Sequence, residues 1–198
     1  MNKPWNFLGR RTALSALALM AIASPVFAAD AAPQVKFETS MGSFVVEVYP
    51  DKAPKTVENF LLYVKTKQYD GTIFHRVIPN FMVQGGGYTD KYNEKIARPP
   101  IPLEALNGLK HEAGTIAMAR TNEPNSARAQ FFVNVKENPF LNAKGSSDGY
   151  TVFGRVVSGM ETINKIKDVA TGSGGPFPTD VPNTPVLINS SSLVFFFF

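Results

Sequence analysis

The stretch Phe74 to Gly87, FHRVIPNFMVQGGG, sets one arginine among apolar residues and follows it with a glutamine and three glycines. Phe74, Arg76 and Ile78 alternate as one face of a strand, Pro79-Asn80 supplies a turn, and Phe81 to Gln84 begins a second strand-like run. On that alternation Arg76 projects from a sheet face beside an apolar patch, and its neighbour His75 points the opposite way. A guanidinium stays protonated at any accessible pH, so Arg76 cannot be a general base; its fixed donors suit binding or polarisation instead. The competing role is that of a strand arginine satisfied by a carboxylate. Gly85-Gly86-Gly87 lacks the Lys and following Ser or Thr of a phosphate-binding loop and reads as a tight backbone passage.

Outward from this stretch, short strands dominate. Val35, Phe37 and Thr39 share one face of a first strand and Phe44, Val46 and Val48 one face of a second, with Met41-Gly42 as a hairpin connection. Pro54 stands in the first turn of a helix whose stripe is Val57, Phe60, Leu61 and Val64, with its end set by Asp70-Gly71. Further strand-like runs occupy Thr115 to Ala119, Phe131 to Val135, Thr151 to Val157 and Val186 to Val194. A second helix starts near Ser158, where Ser158 and Glu161 have capping-box spacing, and it presents Met160, Ile163, Ile166 and Val169. Gly172 to Pro178 reads as a loop, and Tyr88 to His111, rich in Pro and Asn, as a long functional surface loop. About eight short strands and two helices in one domain imply a mainly β fold, a closed antiparallel barrel with helices over its ends.

Residues 1–28 stand apart from this domain. Lys3, Arg10 and Arg11 precede the apolar run Ala13 to Ile22, and Val26-Phe27-Ala28 offers small-residue cleavage chemistry, the pattern of a secretory signal peptide. The run is well short of the roughly 20 residues that cross a bilayer, so no membrane span is expected in the mature chain. Removing those three cations from the 20 basic residues leaves 17 against 16 acidic ones, a balance that supports no nucleic-acid partner. Without cysteine there are no disulfides and no thiolate ligands. The two histidines, His75 and His111, have no metal-ligand spacing and are read as structural or surface residues.

A second cluster runs from Gly114 to Asn134, GTIAMARTNEPNSARAQFFVN. Together with FHRVIPNFMVQGGG and with VFGRVVSGM from Val152 to Met160, it resembles the cyclophilin family of peptidyl-prolyl cis-trans isomerases, particularly its bacterial periplasmic members. The resemblance spans roughly Val35 to Ile188, after which the family pattern fades. It implies an eight-stranded barrel with a packed interior and an active groove on its outer surface. By that resemblance Arg76 and Gln84 are catalytic, and Phe81, Met82, Phe132 and Leu141 wall a proline pocket. Ala119, Arg120 and Gln130 hold peptide in the groove. Periodicity alone leaves Phe81, Met82 and Phe132 equally consistent with core packing.

Two departures from many eukaryotic relatives, Phe140 for a rim tryptophan and Tyr150 for a histidine, follow the bacterial members. Arg120 replaces a smaller polar residue and implies a bias toward acidic residues near the substrate proline. The implied enzyme needs no cofactor or metal, acts on proline-containing segments of folding proteins in the periplasm, and is a monomer. A peptide-holding chaperone with incidental isomerase activity would use the same groove. The domain is expected to cover residues 29–194, followed by an atypical aromatic tail, Phe195 to Phe198, which has no counterpart in the family.

Overall fold

The computed structural model of the protein describes residues 32–144 and 148–194, together with Met1. The leader and its cleavage site, and the tail Phe195 to Phe198, lie outside the described residues. Strands β1 (Gln34–Thr39) and β2 (Gly42–Val48) form the expected hairpin, with Thr39 opposite Gly42. Helix α1 (Pro54–Lys65) follows, then β3 (Thr72–Ile78), β4 (Met82–Thr89), β5 (Thr115–Met118), β6 (Phe131–Asn134) and β7 (Val152–Ser158). Helix α2 (Met160–Lys167) leads to β8 (Thr171–Gly174), β9 (Phe177–Pro182) and β10 (Leu187–Val194). Eight strands close in the order β1-β10-β3-β4-β6-β5-β7-β2, every pair antiparallel, so no edge is left open.

Strand alternation fills the barrel. Val35 and Phe37 of β1, Phe44, Val46 and Val48 of β2, and Val77, Val83, Val133 and Ile116 of β3, β4, β6 and β5 point inward and are all but inaccessible. Phe37 stacks on Phe44 with centroids 5.0 Å apart and meets Phe60 of α1, Tyr69 and Phe131 at 5.4–6.2 Å. Such ring packing adds to the area term that dominates the core. Helix α1 contributes Val57, Phe60 and Val64, and α2 contributes Ile163 and Ile166. The buried Tyr69 hydroxyl donates to Ala129 O at 3.0 Å, so the aromatic core carries its phenol without an unmet donor.

Three expectations change. Helix α1 ends at Lys65, before Asp70-Gly71, because Lys67 has already turned left-handed at φ 55°. Ser158 is the last residue of β7, not a cap: Gly159, at φ 82°, turns the chain directly into α2, and no side chain caps the helix. A Cβ on Gly159 would meet Ser43 O and Phe44, which leaves this turn to glycine. The segment Gly172 to Pro178, expected as a loop, instead supplies most of β8, a two-residue turn and the start of β9 in a second, two-stranded sheet. The last strand, β10, runs as expected through the serines at 190–192, which pair with Glu38, Phe37 and Lys36, because ladder pairing needs backbone groups and not apolar side chains.

Candidate active site

Cross-strand register builds the site. Arg76 on β3 lies opposite Gln84 on β4, Gln84 opposite Phe132 on β6, Phe132 opposite Ala117 on β5, and Ala117 opposite Val152 on β7. This row faces out of the barrel, one residue out of phase with the inward row Val77, Val83, Val133 and Ile116. Met82, Phe132 and Leu141, with Ala117 and Val152, form a second apolar cluster outside the barrel, and Ile78, Phe81, Ala119 and Tyr150 pack against it. Phe81, Met82 and Phe132 are therefore not barrel core. They surround a cavity of about 90 Å³, completed by Leu141, Tyr150 and Ala119, with Arg76, Gln84 and Arg120 at its polar side.

Two larger cavities continue the groove. One, of about 350 Å³, runs from Arg76, Gln84 and Gln130 to Phe177 and Asp180 of β9; the other, of about 360 Å³, runs from Gln84 and Gln130 to Glu94 and Arg128. Gln130 lies in these and not in the small cavity; Gln84 Nε2 donates to its Oε1 at 3.0 Å. Phe140 also stands outside the small cavity, 68% exposed, its ring 5.5 Å from that of Phe81. Two further concavities, each about 420 Å³, include Lys52 in their lining and share no lining residue with this groove. Of the long segment from Tyr88 to His111, Glu94, Lys95 and Ala97 line the groove, while Leu103 to Asn107 line one of the Lys52 concavities.

Arg76 keeps its donors available. Among the described residues its closest carboxylate is Asp180, 4.0 Å from Nε, beyond hydrogen-bond range, and its Cζ lies 5.9 Å from the Phe81 ring centroid. The alternation expected of β3 fails at its neighbour. A bulge between Phe74 and Arg76 leaves both Phe74 and Val77 in the core, so His75 and Arg76 face outward together. His75 packs against Tyr88 and Phe177 at 4.8 and 5.3 Å and lines the same cavity as Arg76. Burial, with the Arg76 charge acting in the same direction, lowers its pKa to about 4.

Beneath the small cavity is a polar network not foreseen from the sequence. His111 stacks on Phe132, 5.8 Å away and 8° from parallel. Its Nε2 donates to Tyr150 O at 3.1 Å, so Nδ1 is left to accept from Asn134 Nδ2 at 3.1 Å. Asn134 also donates to Thr115 Oγ1, and Asn138 Nδ2 donates both to Asn134 Oδ1 and to Phe81 O. The network joins the backbone of Phe81 on one rim to that of Tyr150 on the other. Burial lowers the His111 pKa to about 4, in keeping with an Nδ1 that faces a donor. The only available signal was the recurrence of asparagine after QFFV and before Pro139, which composition does not distinguish from loop chemistry.

A closed eight-stranded barrel with an arginine-edged apolar pocket on its outer wall thus defines the class of protein. Residues 34–193 match the family described as cyclophilin type peptidyl-prolyl cis-trans isomerase/CLD. The chain is 52% identical over 163 residues to a peptidyl-prolyl cis-trans isomerase of Streptomyces antibioticus, covering 81% of this chain and 98% of the relative. It is 52% identical over 159 residues to peptidyl-prolyl cis-trans isomerase B of Escherichia coli strain K12, covering 79% and 96%. A cyclophilin-type isomerase of Cryptosporidium parvum, solved in the presence of the dipeptide Ala-Pro, superposes with a TM-score of 0.67 at 25% identity over 82% of this chain and 99% of that one. The chain belongs to the cyclophilin-type peptidyl-prolyl cis-trans isomerase family and is an enzyme of that class. The match to residue 193 also extends the family pattern past Ile188, where the sequence reading had it fade.

Proposed function

We propose that the enzyme accelerates rotation about X-Pro bonds by seating the proline ring in the Phe81–Met82–Phe132–Leu141 cavity and directing an Arg76 donor at the prolyl nitrogen. The observation that carries this is a guanidinium with unbonded donors at the edge of a small apolar pocket. The amide barrier is ~18–20 kcal/mol, and uncatalysed X-Pro exchange takes tens to hundreds of seconds. As the bond twists, conjugation is lost and the prolyl nitrogen gains a lone pair. A donor placed there binds the twisted state more tightly than the planar one. Gln84, held by Gln130, and the backbone at Ala119 would fix the flanking residues while the remainder of the peptide turns. No step requires a metal or cofactor.

The leader-like pattern of residues 1–28 supports the reading that the activity serves exported proteins in the periplasm, with the mature chain acting as a monomer. A peptide-holding chaperone would need the groove but no donor at the prolyl nitrogen. A protease-coupled isomerisation assay on a set of X-Pro peptides, run beside peptide titration, separates the two. Arg76→Ala should abolish most turnover and keep binding. Mass measurement of the periplasmic protein tests cleavage near Ala28.

A further inference from the structure

Arg120 occupies a groove position from which a cation would be expected to read acidic substrate residues, yet its guanidinium makes four hydrogen bonds to the protein itself. Nε and Nη2 both donate to Gly149 O, at 2.9 and 2.7 Å, and Nη1 donates to Thr121 O at 2.8 Å and Asn122 O at 3.4 Å. Its Cζ lies 4.6 Å from the centroid of the Tyr150 ring. A fork with four of its five donors on main-chain carbonyls and one face against an aromatic ring has little left to offer a substrate carboxylate. Gly149 supplies the shared carbonyl from a left-handed turn at φ 64°, where a Cβ would collide with the backbone of Ala143.

The same contacts fix Tyr150. Its N–H donates to Leu141 O at 3.1 Å, its carbonyl accepts from His111, and its ring meets Phe132 edge-on at 5.8 Å. The Tyr150 ring thus stands between Arg120 and Phe132. Arg120 and Gln84 are also the two residues common to all three cavities of the groove. We propose that Arg120 is a positioning residue: it clamps Gly149 and the Tyr150 ring, and so sets the wall of the proline pocket without selecting substrates by charge. This rests on the assignment of the small cavity as the proline site.

The test is steady-state isomerisation by the mature enzyme on peptides carrying Glu, Ala or Lys before proline, with Arg120→Lys, Arg120→Gln, Tyr150→Leu and the Arg120→Lys/Tyr150→Leu double variant. Loss of the clamp should raise KM by about tenfold, the size of one charge-assisted hydrogen bond, with kcat nearly unchanged. The rise should be the same for all three peptides and for both Arg120 variants, since an ammonium cannot reproduce the fork. In the Tyr150→Leu background Arg120→Lys should add almost nothing. An Arg120→Lys enzyme equal to wild type, with Arg120→Gln impaired only on the Glu peptide, would overturn the proposal in favour of charge selection. Additive losses in the double variant would also overturn it.

Two controls separate the possible failures. Leu141→Ala alters the same cavity at a residue to which Arg120 donates no hydrogen bond, and an unchanged KM there would reject the proline site itself. A raised KM in Leu141→Ala with no change in the Arg120 variants would reject the clamp alone. Independently of any variant's folding, the Arg120 Nε–H resonance of the wild-type protein should be protected from solvent exchange at neutral pH, and free exchange would contradict the bond to Gly149.

Discussion

Arg76 and Arg120 line one cavity, but Arg76 leaves its donors unbonded among the described residues while Arg120 places its own on three carbonyls. That difference makes Arg76 the candidate for work on the substrate. Arg76→Ala should lower kcat/KM by on the order of 10²–10³-fold with peptide affinity nearly intact, the cost of one donor that acts only in the transition state. Arg76→Lys should recover little of it. Turnover near the wild-type level in a folded Arg76→Ala protein would refute the mechanism. Phe132 has two duties, as pocket wall and as the surface on which His111 stacks. It is 4% exposed, so Phe132→Ala should cost about 3 kcal/mol or more of stability and raise KM as well. Melting temperature and KM measured on one preparation check this, and invariance of both would remove Phe132 from the wall.

The elements place these residues through irregularities as much as through regular pairing. The β3 bulge turns His75 and Arg76 outward together. Residue periodicity is blind to it, since one inserted residue shifts the phase without leaving a compositional mark. The capping-box spacing at Ser158 was misleading for a related reason: β7 uses Ser158 in its ladder opposite Val45, and the glycine after it makes the turn. Gly159→Ala should therefore destabilise the protein by roughly 1–3 kcal/mol, because it joins a left-handed backbone to a clash with Ser43 and Phe44. Denaturant unfolding provides the comparison, and an unchanged midpoint would mean that the β7–α2 junction relaxes freely. The β8–β9 sheet, read as loop, brings Phe177 over His75 and Asp180 toward Arg76. Its segment is Gly- and Pro-rich, and only pairing between Thr171–Gly174 and Phe177–Pro182 gives it regular structure.

At the scale of the molecule, both histidines are buried, one beside the groove and one beneath it, and both titrate near pH 4 in the folded protein. In the unfolded chain they titrate near 6.5, so between those values the unfolded state binds more protons and the linkage slope is positive. Their contribution to stability is complete above about pH 6.5 and is lost as the pH falls through 4. Imidazole NMR titration should give two midpoints near 4, with unfolding free energy declining across that window; a midpoint near 6.5 for either ring would contradict its burial. What the sequence by itself determined is whatever depends on local period and on residue chemistry. The β1–β2 hairpin, the stripes of α1 and α2, the count of barrel strands and the family motifs around Arg76 and Gln130 were all legible, because an alternating or helical apolar pattern has one economical way to be buried. Tertiary structure alone decided which side of the barrel wall each apolar residue serves. Met82 and Val83 are adjacent, similar and equally buried, yet one faces the groove and the other the core. It likewise decided that Arg120 spends its donors on the protein while Arg76 makes no hydrogen bond among the described residues, since Gly149 O and the Tyr150 ring, 29 and 30 residues from Arg120 in sequence, reach it only through the tertiary fold.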